Sequence, residues 1–335
     1  MTRRPFPRGV CVVSIDTEMA WGEAHRRGAG VGGGHRQDDG GERAAIGAVL
    51  DLLARYGIAA TWAVVGHLFL DHCDRPAGAG QRPHREVVRP DFPWLAGDWF
   101  DVDPCSSRGQ APAWYGRDIL ASIRACPVPQ EVGCHSFAHV MAGEPGCSRA
   151  AFDSDLAACR ALAGADGVAL RSFVYPRNSI GHVEALAPHG FSAFRGPPAA
   201  PFAGRSPAAR RALRLVDRVR PLSGSAVTAE RHPAGVWNVP QTFLFAPAER
   251  RARLPVAVWT RTPRARLRQA ARERSLFHLW FHPYNITADA DRALAALDRV
   301  CAEAARLRDA GRLDVLTMGA LADRLDAATP AAAGT

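Results

Sequence analysis

Four stretches of the sequence carry side chains that can hold a metal or move a proton. In Ser14-Ile15-Asp16-Thr17-Glu18, two carboxylates close a short apolar run. Residues two apart in extended backbone face the same side, so Asp16 and Glu18 can share one site; the plainer reading is an exposed strand end with solvated acids. His135-Ser136-Phe137-Ala138-His139 sets two imidazoles four residues apart, and on a helical turn such a pair points one way. Alone, that spacing often arises by chance. With Glu18 added, the set becomes two imidazoles and one acid, which suits a divalent ion and leaves positions open for water, as catalytic zinc requires. The remaining stretches are Tyr175-Pro176-Arg177-Asn178 and Phe281-His282-Pro283-Tyr284-Asn285. His282 is a candidate proton donor, and Arg177 a charge that depresses the pKa of a neighbouring carboxylate. Taken singly, each is more often structural, proline marking a turn and arginine an ion pair.

Such residues act together only if strand ends bring them together. Apolar runs predict strands at Val10–Ile15, Ile58–Val65, Glu131–Cys134, Ala169–Tyr175, Phe191–Phe194, Val236–Val239, Leu276–Phe281 and Leu313–Thr317. Apolar residues at helical spacing predict helices between them, as at Glu42–Tyr56, Phe152–Ala163 and Asp289–Ala310. Strand alternating with helix implies a parallel sheet, here closed into an α/β barrel, and every reactive stretch lies at the C-terminal end of a strand, where such barrels place their sites. No repeat of solenoid or propeller length recurs. The glycine-rich Gly28–Gly41 lacks the Lys-Ser/Thr of a phosphate cradle and reads as a loop. Asp71–Pro112 also reads as a loop; its aromatics and acids, with the residues that follow, make Trp99, Asp103, Trp114 and Tyr115 candidates for contact with a sugar face, packing being the alternative. Tyr175, Asn178 and Tyr284 join them as candidate substrate contacts.

The chain has 335 residues, 47% hydrophobic and 22% charged, enough for a sizeable core and inconsistent with wholesale disorder. Its net charge of +9 is concentrated in two arginine-rich stretches, Arg205–Arg220 and Arg250–Arg274, with no helix-turn-helix or aromatic-interleaved pattern, so solvated insertions are expected rather than a nucleic-acid surface. The eight cysteines form no CxxC pair and no regular framework, which argues against a zinc ribbon or a redox motif and for reduced thiols in a cytoplasm. The apolar run after the N-terminal arginines stops at Asp16, too short for a signal-peptide core, and Ile58–Leu70 is too short to span a bilayer.

The motifs, in this order, resemble the NodB-type polysaccharide deacetylases, carbohydrate esterase family four, over about residues 10 to 320. Ser14-Ile15-Asp16-Thr17-Glu18 is similar to the family's Thr-Phe-Asp-Asp motif, Ala60-Thr61-Trp62-Ala63-Val64-Val65-Gly66 to its second-strand segment, His135–His139 to its His-Ser/Thr-x-x-His metal motif, and His282 to its late histidine. The resemblance implies a distorted (β/α)7-8 barrel. It also implies Asp16 as general base, His282 as general acid, and His135 and His139 as ligands of one divalent metal, zinc or else cobalt, nickel or manganese. Two departures stand out. Thr17 occupies the place of the family's second aspartate, so Glu18 is assigned to the metal by analogy, and Phe173–Asn178 replaces the Arg-Pro-Pro-Tyr motif, leaving Arg177 as the candidate to steady the base. The expected activity is N-deacetylation of an N-acetylamino sugar or a glycan precursor in the cytoplasm. Alternatives are hydrolysis of a linear or cyclic non-sugar amide, as in allantoinases, a non-haem iron oxygenase using the two-imidazole, one-carboxylate set, and an inactive glycan-binding homologue. The expected partner is a small or oligosaccharide substrate bearing an N-acyl group, with no nucleic acid and no transmembrane segment. One domain is expected over residues 1–325, with insertions at about 71–115 and 198–270 and a flexible tail from 326.

Overall fold

The first apolar run forms β1, Gly9–Thr17, buried along its whole length because it lies mid-sheet with chain on both faces. In the computed structural model, which describes residues 6–28, 40–74, 84–197, 206, 227–246 and 255–329, it is followed by β2 (Thr61–Val64), β3 (Glu131–Cys134), β4 (Ser172–Val174), β5 (Ala193–Arg195), β6 (Glu230–Arg231), β7 (Trp237–Asn238), β8 (Phe243–Leu244), β9 (Leu276–Phe281) and β10 (Leu313–Leu316). The strands lie in the order β6-β7-β5-β4-β3-β2-β1-β9-β8, with β10 against the first half of β1. All neighbours run parallel except β6 and β7. The sheet curls into a distorted (β/α) barrel. Its two edges are linked by the short passage between β7 and β8: the Val239 N–H donates to the Phe194 carbonyl in β5, and the Thr242 N–H to that of His278 in β9.

The period of two along β1 decides which residues enter the barrel. Cys11, Val13 and Ile15 face outward into the large core shared with the helices, among them Gly41–Tyr56 and Ala290–Asp309. Val10 and Val12 face inward and pack with Ala63, Val174, Ala193 and Val239 against Met318, Leu321 and Ala322, so the C-terminal helix, Met318–Ala328, plugs the bottom of the barrel. Glu131 ties this plug down, accepting the Thr61 and Ser172 hydroxyls and the Gly319 N–H. Continuing the inward register upward gives Ser14 and then Asp16.

The helix runs to Ala328, so residues 326–328 of the expected tail are helical, and 330–335 lie outside the described residues. Part of the expected 198–270 insertion supplies strands β6 to β8. Most of the Gly28–Gly41 loop and of the arginine-rich Arg205–Arg220 lies outside the described residues, as does the start of Arg250–Arg274, whose later part is the helix Arg261–Glu273. Among the described residues no helix is long and apolar enough to cross a membrane.

Candidate active site

At the top of β1, Asp16 is 2% exposed and meets a buried guanidinium. Arg195, the last residue of β5, donates through both terminal nitrogens to the two Asp16 carboxylate oxygens at 2.6 Å each, and also to Ser14 Oγ at 3.0 Å. This forked pair is the strong geometry for an arginine and a carboxylate. Burial pushes the Asp16 carboxyl upward, but the charge of Arg195, then that of His282, outweighs it and holds the group below its ordinary value. A chain of hydrogen bonds fixes the guanidinium from behind. His278 donates from Nδ1 to the Val239 carbonyl (3.2 Å), and its bare Nε2 accepts the Ser14 hydroxyl (2.8 Å). Burial and then the charge of Arg195 keep His278 neutral, with its pKa pushed down to about 3. Arg195 also lies 4.4 Å over the Trp280 ring.

Arg195 therefore stands where Arg177 was expected. The chain after β4 turns sharply through Pro176–Asn178, with Arg177 at φ 54°, and this turn leaves the Arg177 side chain exposed at the surface. The sequence held one signal for the true partner, an arginine just beyond the predicted strand Phe191–Phe194.

Glu18 follows β1 at the entry to a 3-10 turn, Met19–Glu23, and its Oε1 lies 2.9 Å from His135 Nε2 and 3.2 Å from His139 Nε2. The histidines do not sit on a helical turn, contrary to expectation. After β3 the backbone bends through left-handed conformations at Ser136 (φ 65°) and His139 (φ 60°), and this bend brings both rings to Glu18. Asp155, from the helix Arg149–Ala165, holds the bend by accepting the Ser136 hydroxyl (2.9 Å) and the Phe137 N–H (3.0 Å). Burial opposes ionisation of Glu18, but the charges of His282 and then His139 outweigh it and hold the group well below its usual range.

The donors fit a divalent cation. His135 gives its Nδ1–H to the Val174 carbonyl at 2.7 Å, which leaves a bare Nε2 lone pair facing a carboxylate oxygen; a cation between them satisfies both. Outer hydrogen bonds of this kind orient metal-ligating imidazoles. Glu18, His135 and His139 form one group with ligand atoms within 4.8 Å of one another.

His282, just past β9, completes the cluster: Nε2 lies 3.4 Å from Glu18 Oε1 and 3.6 Å from Asp16 Oδ2. Its Nδ1–H donates to Asn285 Oδ1 (3.2 Å), and Tyr284 stacks on the ring at 4.4 Å. Burial acts to lower its pKa, but Glu18 and then Asp16 prevail and raise it to about 9. His25, which the sequence reading missed, has its ring 6.3 Å from that of His139.

The expected sugar-contacting aromatics divide. Trp99, Trp114, Tyr115 and Tyr175 are buried in the core, as is Asp103. Trp99 donates its indole N–H to the Ala138 carbonyl, Trp114 meets Trp21 edge-on at 5.0 Å, and Tyr175 packs on Phe173 and Phe152. These side chains buttress the histidine loop and the barrel wall and present no face to a ligand. Tyr284 and Asn178 are partly exposed and remain candidates for substrate contact.

Comparison of the sequence with protein-family models gives no match, and comparison with curated proteins gives none either. Solved structures do match. A crystal structure of a candidate polysaccharide deacetylase from Mycobacterium smegmatis superposes with a TM-score of 0.58 at 16% identity, covering 100% of this chain and 98% of that one. The PuuE allantoinase gives 0.58 at 12% identity, covering 98% of this chain and 96% of its own. The chain thus has the NodB-type deacetylase fold, shared with an allantoinase.

Proposed function

On that fold, we propose that the chain is a metal-dependent amide hydrolase, in the first instance an N-deacetylase of an N-acetylamino sugar or glycan precursor. One observation carries the reading: an arginine-held carboxylate, a two-imidazole and one-carboxylate donor set and a raised histidine pKa meet at one end of the barrel, with His282 Nε2 within 3.6 Å of both acids. Glu18, His135 and His139 are the residues that would hold the metal. Zinc suits this donor set, and a bound divalent ion supplies electrophilic polarisation of a carbonyl and a lower pKa for water.

The chain's own residues divide the proton work. Arg195 keeps Asp16 ionised and aimed, so Asp16 can take a proton from attacking water as its oxygen bonds to the amide carbon. His282, its Nε2 beside both acids, is placed to give a proton to the amide nitrogen as the C–N bond breaks, so the leaving group departs as a neutral amine beside a carboxylic acid. Tyr284 and Asn285 hold that imidazole in place. Residues 1–325 act as one barrel domain in this reading, and the substrate is a small or oligosaccharide N-acyl compound met in the cytoplasm.

The second reading, hydrolysis of a cyclic or linear non-sugar amide, is favoured by one observation, the equal TM-score of the allantoinase. The discriminating experiment incubates metal-loaded protein with N-acetylated sugar oligomers, allantoin and simple amides and measures amine and carboxylate release. Release from the sugars supports the first reading and release only from the small amides the second. Binding of sugar oligomers without release from any compound refutes both and leaves an inactive glycan-binding homologue.

A further inference from the structure

A second knot of donor atoms lies behind the aromatic wall, apart from the residues given to hydrolysis. We propose that His67, Cys73, His84 and Asp103 form a closed, structural zinc site. His67 sits on the 3-10 turn Gly66–Phe69 that follows β2, and its Nδ1 donates to the Trp114 carbonyl at 3.1 Å. That hydrogen bond fixes the tautomer of a neutral ring and leaves Nε2 bare. Nε2 is buried without a hydrogen-bond partner, yet it faces Asp103 Oδ2 at 3.2 Å, lone pair against carboxylate. A cation between these atoms turns the opposition into two bonds.

The other donors converge on the same oxygen. His84 Nε2 lies 2.9 Å and Cys73 Sγ 3.2 Å from Asp103 Oδ2, while Asp103 Oδ1 accepts the Cys105 N–H at 2.9 Å and so holds the carboxylate's aim. The ligand atoms of all four residues lie within 4.8 Å of one another. In a zinc tetrahedron with bonds of about 2.0–2.3 Å, neighbouring donors stand roughly 3.3–3.8 Å apart, so a small outward shift admits the ion. Sulfur, two imidazole nitrogens and one carboxylate suit zinc better than magnesium or calcium. Binding releases the Cys73 Sγ–H proton to solvent as the Zn–S bond forms. The Tyr115 hydroxyl, 3.2 Å from Sγ, accepts the Ser106 N–H and is free to donate to the resulting thiolate.

The four protein donors fill the coordination sphere, which marks a structural site. Its position gives it a task. His67 lies at the start of the long segment between β2 and β3 and the other three ligands lie further along it, so the ion clasps that segment to the end of β2. The same segment delivers the Trp99 indole to the Ala138 carbonyl between the loop histidines. The irregular ligand spacing, 67, 73, 84 and 103, explains why the cysteine pattern gave no hint of a metal.

Cobalt separates this site from the first, because only this cluster contains a thiol. Full-length protein is loaded with cobalt, its near-ultraviolet absorption recorded, and its bound metal counted by elemental mass spectrometry. The thiolate-to-cobalt charge-transfer band is expected in wild type and in His135→Ala/His139→Ala, and its loss in Cys73→Ser together with one equivalent of metal. Cys73→Asp, which keeps a ligand, should lose the band and retain the metal, guarding against a variant that merely misfolds. A folded, cobalt-saturated wild type without the band, or a band that survives in Cys73→Ser, overturns the proposal and leaves an ordinary hydrogen-bonded cluster of side chains.

Discussion

Replacing Arg195 with methionine tests the electrostatics of the site without knowledge of the substrate. The pair is buried, Arg195 at 1% and Asp16 at 2% exposure, and is held by two hydrogen bonds of 2.6 Å. Removing one partner of such a pair leaves a buried charge unpaired, at a cost of about 3–5 kcal/mol. The pH dependence follows from the direction of the shift. Asp16 is held below its ordinary value in the folded chain, so the pair's stabilisation is present above the unfolded pKa, about 3.9, and is lost as pH falls through the folded value. In Arg195→Met the burial that opposes ionisation meets only the partial compensation of His282, so the loss relative to wild type should be full at pH 7 and shrink towards pH 4. Urea denaturation at both pH values, followed by tryptophan fluorescence and far-ultraviolet circular dichroism, measures it. Adding Asp16→Asn to Arg195→Met should recover a large part of the loss, because no buried charge is then stranded. A loss below about 1 kcal/mol at pH 7, or one equal at the two pH values, refutes the reasoning.

Asp155→Ala removes the acceptor that holds the histidine bend and should weaken metal binding by about 10–100-fold in competition titrations, whereas Asp155→Asn, which keeps an acceptor oxygen, should weaken it much less. Glu303 accepts hydrogen bonds from Arg268, Arg306 and Arg264, and chiefly the Arg268 bond, against burial, lowers its pKa to about 2. Its stabilisation is therefore present above the unfolded value and lost as pH falls towards 2. Glu303→Gln should cost about 1–2 kcal/mol at pH 7 in urea denaturation, after screening of the partly exposed arginines, and the difference should fade as acid approaches that value.

The barrel was legible where it is built from local pattern. β1, β3 and β9 are short, largely apolar segments, and their C-terminal ends carry the residues that the structure brings together: Asp16, Glu18, His135, His139 and His282. The two-residue strands β6 and β8 have too few residues to set a period and were not legible. Arg195 escaped for a different reason: it reaches Asp16 across the barrel interior, 179 residues away in sequence, and only sheet order brings β5 opposite β1. Ser14 and His278, which steady it, are likewise joined through strand pairing. The aromatics of the segment after β2 show the limit of composition. Tryptophan and tyrosine suit a sugar face and a core equally well, and it is the packing of Trp114 on Trp21 and of Trp99 on the Ala138 carbonyl that settles their place.

Asp16→Asn tests the central claim most directly. The variant keeps the shape of the side chain and leaves Glu18, His135 and His139 untouched, so it should bind metal at the wild-type stoichiometry, read by elemental mass spectrometry, while releasing no amine from the compound that metal-loaded wild type hydrolyses. Metal-loaded Asp16→Asn that turns over at the wild-type rate would contradict the account.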